Sequence, residues 1–136
     1  MTDSNNDLVQ GWYRFSMMDF ISAKALNEHV HPKPLEIICY HCQQSAEKML
    51  KGFLISNDIE APKTHDLTLL HEMCIGISEN FEELKENCAF LTRYGIQPRY
   101  PDEIEILETD MDRALKSVQT MIEFFEGHGI EVRQPR

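Results

Sequence analysis

CYHCQQSAEKMLKGFL, residues 39–54, places two cysteines, a histidine, paired glutamines and two lysines on one short segment. It can be read as a metal site, a ligand-facing helix or an ordinary amphipathic helix. Placed on a helix with 3.6 residues per turn, Cys42, Ala46, Met49, Leu50 and Phe53 fall on one side. His41, Gln44, Lys48 and Lys51 fall within about 80° of one another, nearly opposite that side. The periodicity therefore predicts a core-facing helix with a polar stripe along its back.

The metal reading fails on its surroundings. Cys39 and Cys42 form a C-x-x-C, and Cys74 and Cys88 would complete four ligands. Structural zinc pairs sit in tight, glycine-rich turns, and no turn residue flanks this pair. Cys42, Cys74 and Cys88 each fall on an apolar stripe, which predicts reduced core thiols and no metal or cofactor. His29 and His31 alternate without cysteine or acidic company between them and read as loop residues.

Outward from this segment, helical periodicity continues almost everywhere. Leu8, Trp12, Phe15, Met18, Ser22 and Ala25 mark a first helix ending near Val30, with that stripe expected to face the core. HPKP, residues 31–34, breaks it, because proline cannot continue a helix. The second helix is predicted from about Leu35 to Ser56. Thr64 or Asp66 can cap a third, whose stripe is Leu67, Leu70, Cys74 and Ile77. Ser78 or Asn80 can cap a fourth, with Phe81, Leu84, Cys88 and Leu91 inward and an end near Gly95. A last helix carries Leu107, Met111, Leu115, Val118, Ile122 and Phe125 and stops at Gly127 or Gly129. The expectation is one all-α domain over residues 1–136, an up-and-down bundle of four to five helices. Its core spans about 8–126, and residues 127–136 form a loose tail.

Charge and composition restrict the partners. The formal net charge is −10, which opposes non-specific attraction to a phosphate backbone. Ten acids lie between Glu79 and Asp112 against Lys85, Arg93 and Arg99, a solvated face or one that meets a basic partner. No apolar run approaches the roughly 20 residues that span a bilayer. The acidic N-terminus has none of the features of a signal peptide, so a cytoplasmic protein is expected.

The polar stripe of the second helix offers donors and positive charge but no nucleophile, which suits an anion better than bond-breaking. The same stripe is what a plain solvent-facing surface looks like, with Glu47 supporting Lys51 four residues on. His65 either lines a groove or only accompanies Asp66 at a helix start. Arg99 and Tyr100, held between two prolines, can grip a phosphate and stack a base, or Arg99 can cap helix carbonyls.

Three stretches, H41-C-Q-Q-S-A-E-K-M-L-K51, P62-K-T-H-D-L67 and R99-Y-P-D102, together resemble the prokaryotic HEPN domain family. Trp12 and Asp19 also sit where that family places similar residues, and the resemblance runs from Trp12 to about Phe125. It implies a helical bundle that pairs into homodimers and is often encoded beside a minimal nucleotidyltransferase, as a toxin–antitoxin-like module. Many members are ribonucleases marked by an arginine, four to six residues, then a histidine. No arginine of this chain is followed by a histidine at that distance. What the resemblance implies is therefore a non-catalytic nucleotide- or nucleic-acid-binding module. The ligand set is then His41, Gln44, Lys48, Lys51, His65, Arg99 and Tyr100. A ribonuclease toxin working through His41 or His65 with Arg99 is the alternative, and a purely structural interaction module the third.

Overall fold

The computed structural model describes residues 3–96 and 105–133. Five α-helices account for most of them: α1 (Asp3–His29), α2 (Leu35–Ser56), α3 (Leu67–Ile77), α4 (Lys85–Leu91) and α5 (Glu108–Gly127). Among the described residues there is no strand, and no helix is long and apolar enough to cross a membrane. The expected all-α bundle is the fold.

The break between α1 and α2 falls at the prolines, and the His31–Pro32 peptide bond is cis. α2 ends in a turn that reverses the chain. Asp58 takes a φ of 61°, the Asp58 N–H donates to the Ile55 carbonyl, and the Ile59 N–H donates to the Leu54 carbonyl. This is the Schellman arrangement, with an aspartate at the left-handed position where glycine or asparagine is commoner. It sends residues 59–63 back beside α2. Asp66 caps α3, its carboxylate accepting the Thr68 N–H at 3.0 Å. Thr92 reinforces the same start by accepting the Leu67 N–H at 2.9 Å.

The expected fourth helix is built in three pieces. Residues Glu79–Leu84 form a 3-10 helix, α4 follows, and Thr92–Tyr94 tighten into a second 3-10 turn. The predicted inward residues Phe81, Leu84, Cys88 and Leu91 are all buried. The 3-10 pieces wind three residues per turn in place of 3.6, and the inward residues stay on the core side. Leu107, predicted inward on α5, is exposed, while Met111, Val118, Ile122 and Phe125 are fully buried.

α2 is the central rod, packed against α1, α3, α4 and α5. Its apolar side meets an aromatic cluster in which the Phe53 and Phe81 rings lie 4.4 Å apart, with Phe124, Phe125 and Tyr13 around them. All four cysteines are free and buried in this core, as expected. Burial pushes the thiols of Cys39 and Cys88 up to about 12 and raises those of Cys42 and Cys74 as well. After α5 the chain returns to the core, where Val132 is fully buried and Ile130 packs against it.

α1 is rotated from the expected orientation. It buries Val9, Tyr13, Ser16, Phe20 and Ala23, while Leu8, Phe15 and Met18 of the predicted stripe, and Ile21 beside it, are exposed. The physical reason is close helix approach. The Ser16 hydroxyl donates to the Ser45 carbonyl at 2.7 Å, and Gly52 leaves room for the Tyr13 ring, which would lie 2.5 Å from a Cβ there. Small and hydrogen-bonding residues hold α1 on α2, and a second apolar stripe is left facing outward.

Candidate functional site

Two carboxylates organise the polar side of α2. The first belongs to Asp19 of α1. Its Oδ1 lies 2.9 Å from His41 Nδ1, and its Oδ2 accepts the Lys48 ammonium at 2.5 Å. His41 and Lys48 stand two helical turns apart on α2, so a short acid projecting from α1 reaches both. A carboxylate only accepts, so Nδ1 carries a proton in this contact, and Nε2 is the ring nitrogen outside it. Both His41 and Lys48 remain partly exposed.

The second carboxylate is Glu47. It is 4% exposed, and four groups converge on or beside it. Its Oε2 accepts the Lys51 ammonium at 3.1 Å, and its Oε1 lies 2.8 Å from His65 Nδ1. Gln43 donates to the same oxygen at 3.3 Å and to the His65 carbonyl at 2.9 Å. Gln44 in turn donates to the Gln43 side-chain oxygen at 2.7 Å. A buried carboxylate is tolerated because each of its oxygens is bonded. Gly95 closes this cluster from the second 3-10 turn. A Cβ there would stand 3.2 Å from the His65 carbonyl and 3.3 Å from the Gln43 amide, so the backbone packs directly on the network.

The expected single stripe is thus two clusters. His41 and Lys48 share Asp19; Lys51, His65 and, through Gln43, Gln44 share Glu47. Gln44 and Lys51 are buried, not displayed on an open back, because α1 and residues 57–66 cover that side. Lys51 also lies 5.8 Å from the centre of the Trp12 ring. His65 keeps its side chain 62% exposed while its Nδ1 is held. Arg99 and Tyr100 lie outside the described residues.

Sequence reasoning placed Glu47 as surface support for Lys51, gave Gln43 no role and read Gly95 only as the end of a helix. Asp19 stood out through the family resemblance alone. The motif H-x-Q-Q-x-x-E-K-x-x-K contains most of the network, so its polar residues could have been read as mutually bonded. Among the described residues no group of three histidine, cysteine or acidic side chains could hold a metal ion. Both clusters pair each lysine with a carboxylate, so the arrangement positions imidazoles and ammonium groups against acids, but it presents little unbalanced charge.

The comparison with protein families decides the relationship. The family model described as HEPN domain matches residues 9–128. The chain belongs to the HEPN domain family. No curated protein and no solved structure gives a significant match. Within this HEPN domain, α2 and the connection leading into α3 carry two of the three resembling stretches, and those two build the Glu47 network and supply His41 and Lys48 to the Asp19 cluster.

Proposed function

We propose that this HEPN domain is a non-catalytic nucleotide- or nucleic-acid-binding module acting in the cytoplasm beside a nucleotidyltransferase, as half of a toxin–antitoxin-like pair. The observation that carries the reading is the edge of α2 where His41 and Lys48 flank Asp19 and stay partly exposed. A phosphate group entering there competes with the Asp19 carboxylate for the Lys48 ammonium and the His41 Nδ1–H. His65 adds an exposed ring at the neighbouring cluster. Since each lysine already has a carboxylate, the reading calls for modest, salt-sensitive affinity and not a tight phosphate cradle. Arg99 and Tyr100 join the proposed ligand set on the sequence resemblance alone.

Pairing into a homodimer belongs to the same proposal. The exposed apolar stripe of α1, with Leu8, Phe15, Met18 and Ile21, supports it, because such a stripe gains by being covered. Titration of the purified chain with a nucleotide panel at low salt tests the binding, and co-purification with the product of a neighbouring nucleotidyltransferase gene tests the partnership.

One contact favours a second reading. An imidazole oriented through Nδ1 by a carboxylate, with Nε2 left free, is also how general bases are held, so His41–Asp19 fits a ribonuclease with an atypical site. Growth arrest on expression, abolished by His41→Ala, would select this reading; unimpaired growth under strong expression would remove it.

A further inference from the structure

A cleft of about 510 Å³ lies between the N-terminal half of α1 and the reversed segment after α2. This is within the range of small-molecule pockets. Leu8, Trp12, Ile55, Ile59, Ala61 and Pro62 give it a mainly apolar lining. The Schellman turn makes the cleft, since it is the reversal at Asp58 that returns Ile59, Ala61 and Pro62 alongside α2.

Among the described residues, two groups on this lining keep N–H donors without an acceptor. The Lys51 residue is 8% exposed, and an ammonium has three N–H donors. Among the described residues it bonds the Glu47 carboxylate alone, while its remaining contact is with the Trp12 ring. The Trp12 Nε1–H is buried with no partner among the described residues. Donors shielded from water in an apolar cleft gain from an acceptor brought to them. Asp58 is already engaged by the Asn5 amide, and Glu60 and Lys63 line the cleft from exposed positions, so the ammonium and the indole are its shielded polar groups.

We propose that this cleft binds a small aromatic ligand with a hydrogen-bond acceptor on one edge. Its ring lies against Trp12 and the aliphatic wall, and its acceptor meets the Lys51 ammonium. The inference deepens the binding function proposed above, and rests on it for the choice of a nucleoside as first probe. A nucleobase and an aromatic carboxylate share the required chemistry, and the test separates them.

Trp12 is the sole tryptophan of the chain, so its emission reports this cleft. The full chain is titrated with adenosine and, separately, with benzoate, and the emission is followed. A saturable change with either probe is expected. It should weaken at least tenfold in Ala61→Phe, which fills the cleft from a partly exposed position. Lys51→Met should weaken benzoate more than adenosine. Because that variant strands Glu47, Ala61→Phe with an unchanged circular dichroism spectrum is the deciding one. No saturation by either probe, or equal affinity in Ala61→Phe, would overturn the inference. So would occupation of the cleft by a second copy of the chain, seen as loss of self-association in Ala61→Phe without probe binding. ATP or RNA that binds by calorimetry without moving Trp12 emission would overturn the cleft and leave the proposed function standing. Saturation by benzoate with no nucleoside or nucleotide binding would keep the cleft and remove the nucleotide reading.

Discussion

His65, in the connection between α2 and α3, holds its Nδ1 2.8 Å from the buried carboxylate of Glu47 on α2. This contact, with the Gln43 bond to the His65 carbonyl, ties residues 57–66 across the polar side of the central helix. The covering in turn buries Lys51 beside Glu47.

Glu47→Ala should therefore be costly. It leaves the Lys51 ammonium buried without its carboxylate, a change of about 3–5 kcal/mol. Replacing both partners, as in Glu47→Leu with Lys51→Met, should cost less than Glu47→Ala alone. Urea unfolding of the wild type and the two variants measures this; a double replacement as costly as Glu47→Ala would contradict the coupling.

Gly52 and Gly76 should respond to alanine in opposite directions. A Cβ at Gly52 would strike the buried Tyr13 ring, so Gly52→Ala should destabilise by about 1–3 kcal/mol. Nothing lies within 4 Å of a Cβ at Gly76, which is exposed in α3, so Gly76→Ala should stabilise by about 0.5–1 kcal/mol. Thermal unfolding compares the two directly.

Asp66 sets an acid dependence. The Thr68 hydroxyl bonded to its carboxylate, with backbone N–H groups at the helix start, holds it below the usual carboxylate range. A lowered folded value means that its stabilisation is complete above the unfolded value of about 3.9 and is lost as pH falls through the lower folded value. Asp66→Ala should thus cost about 1 kcal/mol near neutrality. The gap between the two proteins should close in strong acid, which denaturant melts across that range would show.

The cysteines should be silent in the native state. Burial raises all four thiols, those of Cys39 and Cys88 to about 12, so little thiolate forms at pH 8 and access is blocked. Alkylation followed by mass spectrometry should find no label on the folded chain and four labels after denaturation.

If the outward stripe of α1 pairs two copies, Phe15→Glu should convert a dimer to a monomer without loss of helicity. Phe15 is 47% exposed, so the change carries a smaller folding penalty than at a buried position of α1. Sedimentation equilibrium of both proteins reads the result.

Periodicity was enough to find the helices and the buried side of α2, because Cys42, Ala46, Met49, Leu50 and Phe53 repeat where a single face must be covered. It misjudged α1, which is apolar on two faces. There the side chosen for α2 depends on Ser16, Ala23 and the glycine across from Tyr13, and hydrophobicity does not rank those residues. Glu47 and Lys51 read as an ordinary surface pair for a similar reason. Their burial follows from the Schellman reversal and from His65 folding back over them, both consequences of the tertiary arrangement. Asp66 was legible as a cap because capping is local.

The most direct test of the proposed function is calorimetric titration, at low ionic strength, of the wild-type chain and of Lys48→Met. ATP and a short single-stranded RNA serve as ligands. Saturable binding of at least one is predicted, weakening as salt rises and weakening at least tenfold in Lys48→Met while that variant still unfolds cooperatively. Absence of saturable heat from both ligands at millimolar concentration would contradict the account, as would equal affinity in the variant.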